Sequence, residues 1–100
     1  MIIGIPKESQ NFESRVAITP ETVKKLTSSN YSIIIEKDAG LNSYISNEDF
    51  SNAGASIVDS MQELLSKSDV IFKVNPFSFQ DLDNLKENST LISFFQIKDE

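Results

Sequence analysis

Residues 1–20 read MIIGIPKESQNFESRVAITP, and the fold turns on how this stretch is parsed. Its first six residues are an apolar, β-branched run ending in Pro6, short enough for a buried strand. A polar segment over 7–14 leads to Arg15 and a second apolar run, Val16-Ala17-Ile18. Thr19-Pro20 then reads as a helix start. The Thr19 hydroxyl is placed to accept from free amide groups, and Pro20 falls where a helix needs no N–H. Strand, loop and helix within twenty residues predict an α/β chain.

The rest of the chain continues the alternation. Residues 21–26 (ETVKKL) give a short amphipathic helix, with Val23 and Leu26 on one face and Glu21 suiting the dipole of the first turn. Residues 31–36 (YSIIIE) form a second strand, whose three isoleucines predict cover on both faces, as in a parallel sheet. Lys37-Asp38-Ala39-Gly40 turns the chain, with Gly40 expected to take a positive φ. Ser46 caps a second helix, with Asp49 three residues on, and Gly54 stops it. Residues 55–58 are a third strand. Asp59 or Ser60 caps the next helix, in which Met61, Leu64 and Leu65 form the buried stripe. Residues 69–74 are a fourth strand broken by Pro76, 80–86 a further helix with Leu82 and Leu85 inward, and 90–95 the last strand. This order predicts an open, mostly parallel sheet with helices on both faces, flavodoxin- or Rossmann-like, with right-handed crossovers.

Composition narrows the function. One hundred residues make one domain at most. A net charge of −6 provides no basic stripe to displace phosphate counterions, which argues against nucleic acid as a partner. The chain has no cysteine and no histidine, so thiol chemistry is excluded and a zinc site is not expected. No apolar run approaches the roughly 20 residues of a membrane span. The N-terminus lacks a signal peptide's charged start, and a cytoplasmic protein is expected. The three glycines, Gly4, Gly40 and Gly54, cannot make a G-x-G-x-x-G turn or a P-loop. Glu48-Asp49 and the Asp81/Asp83 pair read as solvated helix starts, and Phe94-Phe95 as core.

In an open α/β sheet, ligands sit beyond the carboxyl ends of the strands. That edge is predicted to carry Lys7, Arg15, Asp38, Lys73 and Gln96. Arg15 is the only arginine, and serves either as a fork for a carboxylate or phosphate or as an ion-pair partner of Glu8 or Glu13. Lys73 lies between Phe72 and Val74 in an apolar strand. Its ammonium must reach solvent, a carboxylate or an anionic ligand, so a snorkelling side chain and an anion site are both open. Lys73 and Arg15 converging on one edge is the single constellation resembling a site.

The run Ile3-Gly4-Ile5-Pro6-Lys7-Glu8, followed by Glu13-Ser14-Arg15-Val16-Ala17-Ile18-Thr19-Pro20, resembles the amino terminus of the alanine dehydrogenase and proton-translocating transhydrogenase family. Glu36-Lys37-Asp38-Ala39-Gly40 is similar to the family's E-x-G-A-G. Residues 46–58 are similar to S-D-x-x-Y-x-x-A-G-A-x-I-V, and 69–74 to A-D-x-x-x-K-V. Thr19-Pro20-Glu21-Thr22-Val23 and Thr90-Leu91-Ile92-Ser93-Phe94 resemble the transhydrogenase alpha subunit in particular. Asp38 stands in place of the usual glycine, and Pro76-Phe77 where the family's proline comes one position later.

The resemblance implies that residues 1–100 are the N-terminal part of the family's first domain, truncated, with the NAD-binding Rossmann domain absent from this chain. In the dehydrogenase branch, the residues matching Arg15 and Lys73 bind the carboxylate and carbonyl of a 2-oxo acid. That branch places a catalytic histidine where this chain has Gln96, whose amide does not titrate near neutral pH. In the transhydrogenase branch, hydride passes between NAD(H) and NADP(H), coupled to proton translocation, and Arg15 and Lys73 are left a structural or cleft-lining role. The resemblance further implies an oligomer and membrane-bound partner subunits, with no cofactor held by these residues alone. A free-standing, non-catalytic α/β interaction module is the reading from another class.

Overall fold

The computed structural model describes residues 1–8, 16–75 and 85–93. Strand β1 (Ile2–Ile5) has three isoleucines and a glycine, with no polar side chain to expose, and it lies at the centre of a five-stranded sheet. Helix α1 (Pro20–Ser28) starts as expected, with the Thr19 hydroxyl accepting from the Thr22 N–H at 3.3 Å. It leads to β2 (Ser32–Glu36), which pairs parallel with β1, Ile3 opposite Ile33 and Ile5 opposite Ile35. Helix α2 (Asn47–Ala53) opens on a reciprocal box: Ser46 Oγ accepts from the Asp49 N–H, and the Asp49 carboxylate accepts from the Ser46 N–H, both at 3.0 Å. Gly54 ends it at φ 116°, a conformation that favours glycine. The edge strand β3 (Ser56–Val58) follows, then α3 (Met61–Lys67), capped by Ser60, then β4 (Val70–Lys73) and β5 (Thr90–Ser93).

All four strand pairings are parallel, in the order β3-β2-β1-β4-β5. The chain therefore winds outward from β1 to β3, crosses back by α3, and continues on the other side of β1. Both faces of the sheet are covered, as the isoleucine run in β2 predicts. Ile3, Ile5, Ile33 and Ile35 pack with Val23 of α1 and Phe50 and Ala53 of α2. Ile34 and Ile71 face the opposite way, with Leu64 and Leu65 of α3. The pleat places Gly4 on this second face, where α3 comes so close that a Cβ at Gly4 would meet the side chains of Ser68 and Leu64.

Two local expectations change. Gly40 has an ordinary φ of −99°, and Asp38 takes the left-handed conformation instead, at φ 66°. Asp38 is held there by Asn47, whose side chain accepts from the Asp38 N–H at 2.8 Å and donates to its carboxylate at 3.0 Å. Aspartate tolerates this region better than most residues, which accounts for it where the family usually has glycine. Gly40 is needed for space, because a Cβ there would lie 2.7 Å from the Phe50 ring. In the expected helix over 80–86, residues 80–84 lie outside the described residues; Leu85 packs inward against the α3 side, while neither Leu85 nor Lys86 is helical. Phe94, Phe95, Asp81 and Asp83 also lie outside them.

At the amino edge of the sheet, Asp69 joins three strands. Its carboxylate accepts from the Ile2 N–H and from Lys86, its own N–H donates to Ile2, and its carbonyl accepts from Thr90. The Lys86 hydrogen bond, then the Ile2 N–H, hold its pKa below the ordinary carboxylate value. A carboxyl with a depressed folded pKa stabilises the fold above its unfolded pKa of about 3.9, and loses that contribution as pH falls through the folded value. The stability difference between the native chain and Asp69→Asn should therefore be constant near neutrality and shrink below about pH 4. Urea titrations of both proteins across that range check it.

Candidate functional site

The order β3-β2-β1-β4-β5 has its switch point between β1 and β4, which pair directly but lead to helices or strands on opposite sides. Beyond their carboxyl ends lie Pro6-Lys7-Glu8 on one side and Val74-Asn75 on the other. Pro6 is fully buried and fixes the exit of β1. The Lys7 N–H donates to the Glu36 carboxylate of β2 at 2.8 Å, while the Lys7 side chain is exposed. The next side chain, Glu8, turns back over the end of β4.

There it meets Lys73. Only 1% of Lys73 and 9% of Glu8 are exposed, so the snorkelling reading of Lys73 does not hold. Lys73 Nζ donates to Glu8 Oε1 at 3.2 Å. Burying two charges costs more than their attraction returns unless further hydrogen bonds satisfy them. Glu8 has those bonds: its Oε2 accepts from the Val74 N–H at 2.9 Å, and its Oε1 from the Asn75 N–H at 3.1 Å and Asn75 Nδ2 at 3.2 Å. Three consecutive residues at the end of β4 thus aim four N–H donors at one carboxylate. Ser93, opposite Lys73 in β5, closes the next position, with its hydroxyl 3.5 Å from the Val74 carbonyl.

Of the residues expected at this edge, Lys73 is at the switch point, Lys7 beside it, and Asp38 is engaged by Asn47 beyond β2. Arg15 and Gln96 lie outside the described residues. Glu8 and Asn75 are the additions. Glu8 entered the sequence reading as a partner for Arg15 and as the last residue of the motif Ile3–Glu8, without a place in the site, and Asn75 not at all. The signal for Glu8 was its place three residues beyond the end of β1, the strand that the topology sets beside β4.

The model of the alanine dehydrogenase/PNT N-terminal domain family matches residues 4–100. Among curated proteins, the NAD(P) transhydrogenase subunit alpha of Haemophilus influenzae is 39% identical over 94 residues, covering 94% of this chain and 18% of that protein. The alanine dehydrogenase of Staphylococcus saprophyticus is 38% identical over 100 residues, covering all of this chain and 27% of that protein. Among solved structures, a transhydrogenase from Sinorhizobium meliloti superposes with a TM-score of 0.88 at 34% identity, over 95% of this chain and 28% of that one. The chain spans 18% to 28% of the length of these relatives.

Proposed function

We propose, for a chain that belongs to the alanine dehydrogenase/PNT N-terminal domain family, that it is the front part of the first domain of an NAD(P) transhydrogenase alpha subunit. The whole enzyme would exchange hydride between NAD(H) and NADP(H), coupled to proton translocation through membrane-bound partner subunits. The observation that carries this reading is Gln96, which replaces the histidine of the dehydrogenase branch with a side chain unable to act as acid or base. The burial of Lys73 against Glu8 supports the structural role that the transhydrogenase branch leaves to it.

The described residues do not fit a dinucleotide. A pyrophosphate needs a glycine-rich turn whose backbone it can approach, with donors free to receive it. Here the glycine of β1 is filled against by Ser68 and Leu64, and the strand's exit carries Pro6 and the Glu8 carboxylate, a negative charge at the switch point. NAD(H) would accordingly be held by the Rossmann domain that the longer relatives' length leaves room for. No helix among the described residues is long and apolar enough to cross a membrane. On this reading the domain sits at the cytoplasmic face, held there by the rest of the alpha subunit, its oligomer and the membrane subunits.

The second reading, a divergent alanine dehydrogenase binding a 2-oxo acid through Arg15 and Lys73, is favoured by the 38% identity to such an enzyme. The protein as its source makes it separates the two. It should bind NADH and leave it unoxidised in the presence of pyruvate and ammonium. Steady turnover under those conditions would establish the second reading, and absence of NADH binding would defeat both.

A further inference from the structure

The connection from β2 to α2 carries the most exposed aromatic side chain among the described residues. Tyr44 is 97% exposed, and Leu41, three positions before it, is 52% exposed. Tyr44 also has a left-handed backbone, at φ 61° and ψ 30°, which is costly for a bulky residue and persists only where its surroundings impose it. Here they do. Tyr44 ends a single turn of 3-10 helix (Leu41–Ser43), with its N–H donating to the Leu41 carbonyl at 3.0 Å. The Ile45 N–H then donates to the Gly40 carbonyl at 2.9 Å, and Ile45 packs against the core. The two bonds between Asn47 and Asp38 close the base of the loop. A rigid loop holding an aromatic ring in water is a preorganised contact, because a partner has no backbone left to order.

We propose that Leu41 and Tyr44 form an interdomain contact, covered by the part of the subunit that lies beyond residue 100. Size and charge select that occupant. A buried tyrosine hides about 150–250 Å², whereas an interface between free proteins needs roughly 1,000 Å² or more. Two side chains are too few for a free partner. They suffice for one already tethered, whose effective concentration is about millimolar. A second copy is opposed further by the net charge of −6 on each chain. Position agrees with this choice: all strand pairings are parallel, so the loop after β2 and the end of β5 at Ser93 lie at the same edge of the sheet. The inference rests on the reading of this chain as the front part of a longer alpha subunit.

Nitration by tetranitromethane, located by peptide mass, reads the contact directly, because residues 1–100 hold two tyrosines. Tyr31, just before β2 at the opposite edge of the sheet, is the reference. The ratio of Tyr44 to Tyr31 nitration should be about tenfold lower in the protein as its source makes it than in the 100-residue chain. An unchanged ratio overturns the proposal. So does a ratio that falls in the 100-residue chain as its concentration rises, because the occupant would then be a second copy.

Tyr44→Asn removes the ring and supplies a residue that tolerates the left-handed backbone. In the 100-residue chain its urea midpoint should equal or exceed the native value. In the whole protein the same change should lower Tm by about 2–4 °C. A loss in both forms would make Tyr44 a support of its own domain, and no loss in the whole protein would leave the ring without a contact; either result overturns the proposal. An intact mass of 11.2 kDa for the source protein would defeat the subunit reading itself, and the contact with it. NADH binding by the whole protein together with an unchanged nitration ratio rejects the contact alone.

Discussion

Replacing Glu8 by leucine is expected to lower stability by about 3–5 kcal/mol, the cost of taking the carboxylate away from a buried ammonium. The same change leaves the Val74 and Asn75 N–H groups without the acceptor they now share. Replacing Lys73 by methionine should cost less, about 1–3 kcal/mol, because the Glu8 carboxylate keeps three N–H donors. The asymmetry is the informative part. If the ammonium and carboxylate held each other by charge alone, both single changes would cost the same. The double variant should be less destabilised than the sum of the singles, since both changes break the same Lys73–Glu8 contact. Urea unfolding of the four proteins gives all three numbers. Equal costs for the two singles would mean that the backbone amides contribute little to holding Glu8.

Gly4→Ala is the second change with a large expected effect. The added methyl would overlap Ser68 Oγ and lie 2.9 Å from both Ser68 Cβ and Leu64 Cδ2. Ser68 is fully buried, and its hydroxyl donates to the Leu64 carbonyl at 2.7 Å, so it cannot rotate away without losing that bond. Overpacking of this kind costs about 1–3 kcal/mol. For a domain of this size, 2 kcal/mol is a fall in Tm of roughly 8–16 °C. Adding Ser68→Gly to Gly4→Ala removes two of the three close atoms and should recover part of the loss, while the Leu64 contact keeps the rest. A Gly4→Ala chain that melts at the native temperature would mean that α3 can move off the sheet freely.

How far the residues alone reach is clear from these two places. The strands and helices were legible because each carries local signals: alternating or continuous isoleucine, Thr19 and Ser46 as caps, Gly54 as a stop. Gly4 read as strand, and nothing nearby in sequence announced that a serine 64 positions on would need its missing side chain. Lys73 stood out because a cation in an apolar strand demands a partner. The partner was hidden, because Glu8 becomes its neighbour only through the adjacency of β1 and β4, which is set by the crossover and not by any local pattern. The turn at 38–40 failed for a related reason. Glycine is the default for a positive φ, but here Asn47 holds Asp38 in that conformation, and the glycine is reserved for contact with Phe50. Signals carried within one element survive in a sequence, whereas those created by assembly do not.

The central position of β1 has a consequence for how the chain is made. Its residues leave the ribosome before those of the other four strands, yet one of its two edges has to wait for β4, which ends at Lys73. At about 5–20 residues per second, the 68 positions from Ile5 to Lys73 take on the order of 3–14 s to synthesise. Throughout that interval Ile2–Ile5 can pair with β2 but keeps an open, apolar edge, the kind of template on which nascent chains associate. The arrival of β4 covers that edge and brings Lys73 to Glu8 in the same step, so closure of the buried ion pair marks the moment at which the newborn sheet stops being adhesive.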